Sequence, residues 1–87
     1  MTGESVSRRR VAVVTGASAG VGRATAIELA RRGFDVGLIA RGRAGLEAAL
    51  ADVRAEGVDG VVAIADVADM DQIDEAAGRI ERELGPI

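Results

Sequence analysis

The 87-residue sequence contains no cysteine, histidine, lysine, tyrosine, tryptophan or asparagine, and only one proline and one phenylalanine. Without cysteine there is no disulfide framework and no reactive thiolate; without histidine as well there is no zinc site and no Cys/His catalytic pair. Because lysine is missing, every one of the 11 basic residues is arginine, set against 14 acids for a net charge of −3. Arg8, Arg9 and Arg10 stand beside only Glu4 near the N-terminus, which leaves eight arginines against thirteen acids, a net of −5, in the body. Such a body is not a nucleic-acid-binding surface. Long apolar runs are absent too. The apolar run directly behind the Arg triplet is only Val11 to Val14, whereas an export signal needs about 7–15 apolar residues and a membrane span about 20. Met1 to Arg9 therefore reads as a solvated, disordered tail, residues 10–87 as the folded part, and the expected location is cytoplasmic, with no membrane partner.

What is present is a regular alternation. Val11 to Val14 is a short β-branched run suited to a strand covered on both faces, as in a parallel sheet. Thr15 to Val21 forms a glycine turn, and the helix after it shows Ala24, Ile27 and Ala30 on one face, with Gly33 as a C-terminal cap. Val36 to Ala40 is a second strand, followed through Arg41-Gly42-Arg43 by a helix with Leu46, Leu50 and Val53 at i, i+4, i+7 and closed by Gly57. Asp35, at the start of that strand, reads as turn chemistry. Val61 to Ala65 is a third strand. Asp69 with Gln72 predicts a capping box, ahead of a helix carrying Ile73, Ala77, Ile80 and Leu84 and ending at Gly85-Pro86. The acids of that helix are a solvated face. Strands and helices alternating at this interval indicate parallel βαβ units, an α/β fold.

Gly16, Gly20 and Gly22 fall where the first strand hands over to the first helix. A sharp turn needs a residue without a Cβ, a backbone that meets a pyrophosphate needs no side chain in the way, and the helix start offers unpaired N–H groups. A glycine cluster so placed points to a dinucleotide site. The spacing is Thr-Gly-x-x-x-Gly-x-Gly rather than Gly-x-Gly-x-x-Gly. This run, Thr15 to Gly22, resembles the short-chain dehydrogenase/reductase family, as do Arg41 followed by Leu46-Glu47, Asp66-Val67 after the third strand, and Gly85-Pro86-Ile87. The resemblance covers nearly everything from Arg10 onward. It implies a partial Rossmann fold, three parallel strands alternating with three helices, and a cofactor site at Gly16, Ser18, Ala19, Gly20, Val21, Gly22, Arg41, Asp66 and Val67.

Arg41 bears on which cofactor. About 20 positions past the glycines an acidic residue would bond the ribose 2′-hydroxyl of NAD, whereas an arginine accommodates the 2′-phosphate of NADP. The sequence there is Ala40-Arg41, so NADP is expected rather than NAD; Arg43 is a weaker candidate for a second contact. By resemblance, Ser18 and Ala19 lie beside the ribose and its 2′-phosphate, and Asp66 and Val67 beside the adenine. Relatives that prefer NADP often carry Arg or Lys where this chain has Ala19, which leaves Arg41 as the main discriminant. The family's proton-transfer residues are a Ser, a Tyr, a Lys four positions after it and an Asn, and this chain has no Tyr, Lys or Asn. Its expected role is the cofactor-binding opening third of an NADP-dependent oxidoreductase of about 250 residues, a homo-oligomer acting on a small carbonyl or alcohol substrate. The alternative is a non-catalytic nucleotide-binding or interaction module. Sugar-nucleotide epimerases usually differ in glycine spacing.

Overall fold

The computed structural model describes residues 9–87, so the expected tail lies outside the described residues except for Arg9. The elements are β1 (Val11–Thr15), α1 (Gly20–Arg31), β2 (Asp35–Ala40), α2 (Leu46–Arg54), β3 (Gly60–Ile64) and α3 (Met70–Leu84). The strands are all parallel in the spatial order β1-β2-β3, with Val11 opposite Asp35 and Val36 opposite Gly60. Alternation along the central strand explains the layering. Val36, Leu38 and Ala40 enter one core with Ala26 and Ala30 of α1 and Leu46, Leu50 and Val53 of α2. Ile39 enters a second core on the opposite face with Val61, Ala63, Ala76 and Ile80. Helices therefore cover both faces and β2 is buried throughout, which accounts for its unbroken apolar character. α3 sits close because Gly37 has no side chain: a Cβ there would stand 2.6 Å from Ile80 Cδ1.

Five local expectations change. In α1 the buried residues are Ala26 and Ala30, and Ala24 is exposed. Small alanines at several spacings leave the face of this helix ambiguous. Its rotation is set instead by contacts outside the pattern, among them Arg23, whose Nε donates to Asp52 of α2 at 2.9 Å. α2 begins only at Leu46, after an irregular segment, and β3 starts one residue early, at Gly60. Asp35 is buried rather than a turn residue: its Oδ1 accepts the Asp59 N–H at 2.9 Å and faces Arg9 at 3.5 Å. Parallel strands begin side by side, so the carboxylate at the head of β2 meets the backbone donor that leads into β3. Finally, only half of the capping box forms. Asp69 Oδ1 accepts from the N–H groups of Asp71 and Gln72, but Gln72 Oε1 accepts from Asp66 N–H at 2.8 Å. The Asp69 N–H is already donated to the Asp66 carbonyl, so the glutamine bonds the next free donor back.

The end of α1 follows the glycine signal. Gly33 has φ +91°, its N–H donates to the Ala30 carbonyl, and the Phe34 N–H donates to Leu29, the paired bonds of a Schellman motif.

β1 has a strand on one side only among the described residues, and Val11 and Val14 are nearly buried while Val13 is half-buried. A flat apolar edge of this kind pairs readily with other chains. Residues 1–87 produced alone are expected to self-associate or to unfold in part. Sedimentation and thermal melting check this, and a monomer with a sharp cooperative transition would count against it.

Candidate functional site

The glycine turn is built by two different constraints. Gly16 and Gly20 take φ values of +64° and +59°, the left-handed region that side chains disfavour. Gly22 is demanded by space: a Cβ there would overlap the carbonyl of Gly16 and approach that of Thr15 to 3.1 Å. The first turn of α1 therefore lies directly against the C-terminal end of β1. Between these glycines, Ala17 is fully buried and its N–H donates to the Ile39 carbonyl at 3.1 Å, tying the turn to the end of β2. Ala19 is the N-cap of α1, in extended conformation and with no side-chain bond to the helix. No acid stands in the first turn of α1, whereas α2 has Glu47 there and α3 has both its Asp69 cap and Asp71. Among the described helices, α1 alone thus presents its N-terminal N–H groups, equivalent to about half a positive charge, without an internal anion.

Two further loops meet this turn. Arg41 follows β2 directly and is exposed, and among the described residues no carboxylate pairs with it, while Arg43 is engaged by Glu47 at 3.4 Å. After β3, Asp66 Oδ1 accepts the Ala68 N–H at 2.9 Å in a tight turn, leaving Val67 largely exposed. Thr15, Gly16, Ser18, Ala40, Arg41 and Val67 line one cleft of about 370 Å³ at the C-terminal end of the sheet. Parallel α/β sheets hold ligands at this end, where the strand-to-helix loops converge.

The short chain dehydrogenase family profile matches residues 10–87. The chain belongs to the short-chain dehydrogenase family. It is 42% identical over 87 residues to a short-chain dehydrogenase/reductase of Armillaria gallica, covering 98% of this chain and 33% of the relative. It is also 42% identical over 76 residues to gluconate 5-dehydrogenase of Gluconobacter oxydans, covering 87% and 30%. Among solved structures, NAD+-bound xylitol dehydrogenase superposes with a TM-score of 0.86 at 34% identity, over 92% of this chain and 31% of that one. An alcohol dehydrogenase of the archaeon Thermococcus sibiricus, complexed with 5-hydroxy-NADP, gives 0.84 at 32% identity, over 92% and 34%. The chain thus spans about a third of the length of these two relatives. Both nicotinamide cofactors occur among its neighbours.

Of the residues singled out from sequence, the cleft gathers Gly16, Ser18, Arg41 and Val67. Gly20, Val21 and Gly22 form the first turn of α1 behind it, and Val21 points away, 82% exposed, into a separate apolar groove with Ala24, Thr25 and Leu29. Asp66 sits at the loop after β3 with one carboxylate oxygen committed to the turn. Thr15 and Ala40 line the cleft without having been singled out; both are the last residues of their strands, and strand ends at this edge were the available signal. Gly45 was missed as well. It has φ +81° and stands against the Ser18 carbonyl, so the loop after β2 packs on the glycine turn. The cleft brings an exposed guanidinium at Arg41, unpaired among the described residues, to the same place as the backbone of Gly16 and Ser18, with the first turn of α1 behind it. Among the described residues no group of acids is arranged to hold a metal ion, and no helix is long and apolar enough to cross a membrane.

Proposed function

We propose that this chain binds the adenosine and pyrophosphate end of NADP(H) within a cytoplasmic, homo-oligomeric oxidoreductase that interconverts a small carbonyl compound and its alcohol. The observation that carries the cofactor choice is Arg41, exposed at the end of β2, lining the same cleft as Gly16 and Ser18 and unpaired among the described residues. An acid at that place would select the ribose hydroxyls of NAD; the guanidinium is instead a planar, permanently charged fork suited to a 2′-phosphate. Gly16 to Gly22 and the start of α1 would receive the pyrophosphate on backbone N–H groups, with Val67 against the adenine. Asp66 and Ala19 complete the adenosine end.

The bound cofactor supplies hydride transfer. A carbonyl reductase must also deliver a proton to the developing alkoxide from a group of suitable pKa. Besides its termini, this chain offers only arginine, aspartate and glutamate as titratable groups, and Ser18, in the glycine turn, is assigned in this reading to the adenosine end. The proton-transfer residues are assigned to the part of the protein beyond these residues. Residues 1–87 alone are therefore expected to show no NADPH-dependent reduction of carbonyl compounds, while the full-length protein does. Steady-state assays of both with a panel of ketones and aldehydes check this, and turnover that copurifies with residues 1–87 would refute the division of labour.

A further inference from the structure

We propose that Gly45 is a positioning residue for cofactor choice, holding the Arg41 loop on the glycine turn; the proposal rests on the reading of Arg41 given above. Gly45 is the N-cap of α2, with φ +81° and ψ −22°. A Cβ at this position would stand 2.5 Å from the backbone oxygen of Ser18 and 3.2 Å from its Cβ. The first of these is a backbone atom, so no side-chain rotation relieves the overlap. Both partners are anchored from behind. Leu46, next after Gly45, is fully buried at the start of α2, and Ala17, just before Ser18, is fully buried and bonded to Ile39. Between β2 and Gly45, however, residues 41–44 are all exposed. Displacement at Gly45 is thus taken up in the segment that carries Arg41, while the glycine turn stays where Ala17 and Gly22 pin it. The pyrophosphate cradle is shared by both nicotinamide cofactors, but the guanidinium distinguishes them. A side chain at position 45 accordingly weakens NADPH selectively.

The test is equilibrium binding of NADPH and NADH to the full-length protein, followed by cofactor fluorescence. Gly45→Ala is expected to weaken NADPH about tenfold, the lower end of what losing the charge-assisted contact of Arg41 would cost, and to leave NADH within about twofold. In an Arg41→Ala background the same substitution should change NADPH binding no further, because the group it misplaces is gone. Equal weakening of both cofactors, no weakening, or full additivity with Arg41→Ala each overturns the proposal. Should Gly45→Ala fail to fold, Gly45→Asn takes its place, because asparagine tolerates left-handed backbone yet still carries the Cβ; wild-type NADPH binding by that variant also overturns the proposal. If Arg41→Ala alone leaves the NADPH preference intact, the reading of Arg41 fails and this inference with it. If Arg41→Ala removes the preference while Gly45→Ala is silent, only the role of Gly45 is lost.

Discussion

Arg41→Ala in the full-length protein is expected to weaken NADPH binding by about 1.5–3 kcal/mol, roughly 10- to 100-fold, with NADH nearly unchanged. The size follows from the chemistry of the contact. A guanidinium bonded to a phosphate makes charge-assisted, often bidentate hydrogen bonds, and Arg43, the nearest alternative along the chain, is already paired with Glu47. Arg41→Asp should go further. A carboxylate repels the 2′-phosphate yet accepts a hydrogen bond from a ribose hydroxyl, so the preference moves toward NADH. Because Arg41 is exposed, the wild-type advantage of NADPH should shrink as salt is raised. Titrations of both cofactors at two ionic strengths read all three effects. Equal weakening of NADPH and NADH by both substitutions would make Arg41 structural.

Gly22→Ala should act without regard to the 2′-phosphate. The added Cβ overlaps the Gly16 carbonyl, both atoms belong to backbone that is fixed on either side, and relief requires α1 to move off the end of β1. Overpacking of this kind costs about 1–3 kcal/mol, and here it also opens the cradle that both cofactors share. The variant is expected to melt lower and to lose NADPH and NADH affinity in equal proportion, beyond the effect of any substitution at Arg41 on NADH. Gly42→Ala is the control, since a Cβ there meets nothing within 4 Å; it should stay within about 0.5 kcal/mol of wild type. A Gly22→Ala protein that melts and binds like the parent would show that the turn is looser than its geometry implies.

The architecture was readable because each signal was local and redundant. Val11 to Val14, Val36 to Ala40 and Val61 to Ala65 are short, mainly apolar runs, and Gly33, Gly57 and Gly85, which follow the helices, have positive φ. What escaped the sequence depended on partners distant along the chain. Ala24 and Ala26 are equally apolar, and only the seating of α1 against β1 and α2 decides that Ala26 is the buried one. Asp35 looked like a turn residue because its partner, the Asp59 N–H, lies 24 positions away. Gln72 followed the capping pattern, but the donor it was to meet was already used. The site shows the same division. The glycine turn and Arg41 carry their chemistry in their residue types, so the cleft holding Gly16, Ser18, Arg41 and Val67 could be anticipated. Gly45 could not, because its contact with Ser18 exists only once two loops are brought together.

Whether the cleft is built for a 2′-phosphorylated adenosine can be measured without any nicotinamide. Calorimetric titration of the full-length protein with 2′,5′-ADP and with 5′-ADP isolates the one phosphate in question. 2′,5′-ADP is expected to bind about 10- to 100-fold more tightly, and Arg41→Ala to bring the two together. Equal affinity for the two nucleotides in the wild-type protein would contradict the proposed cofactor choice.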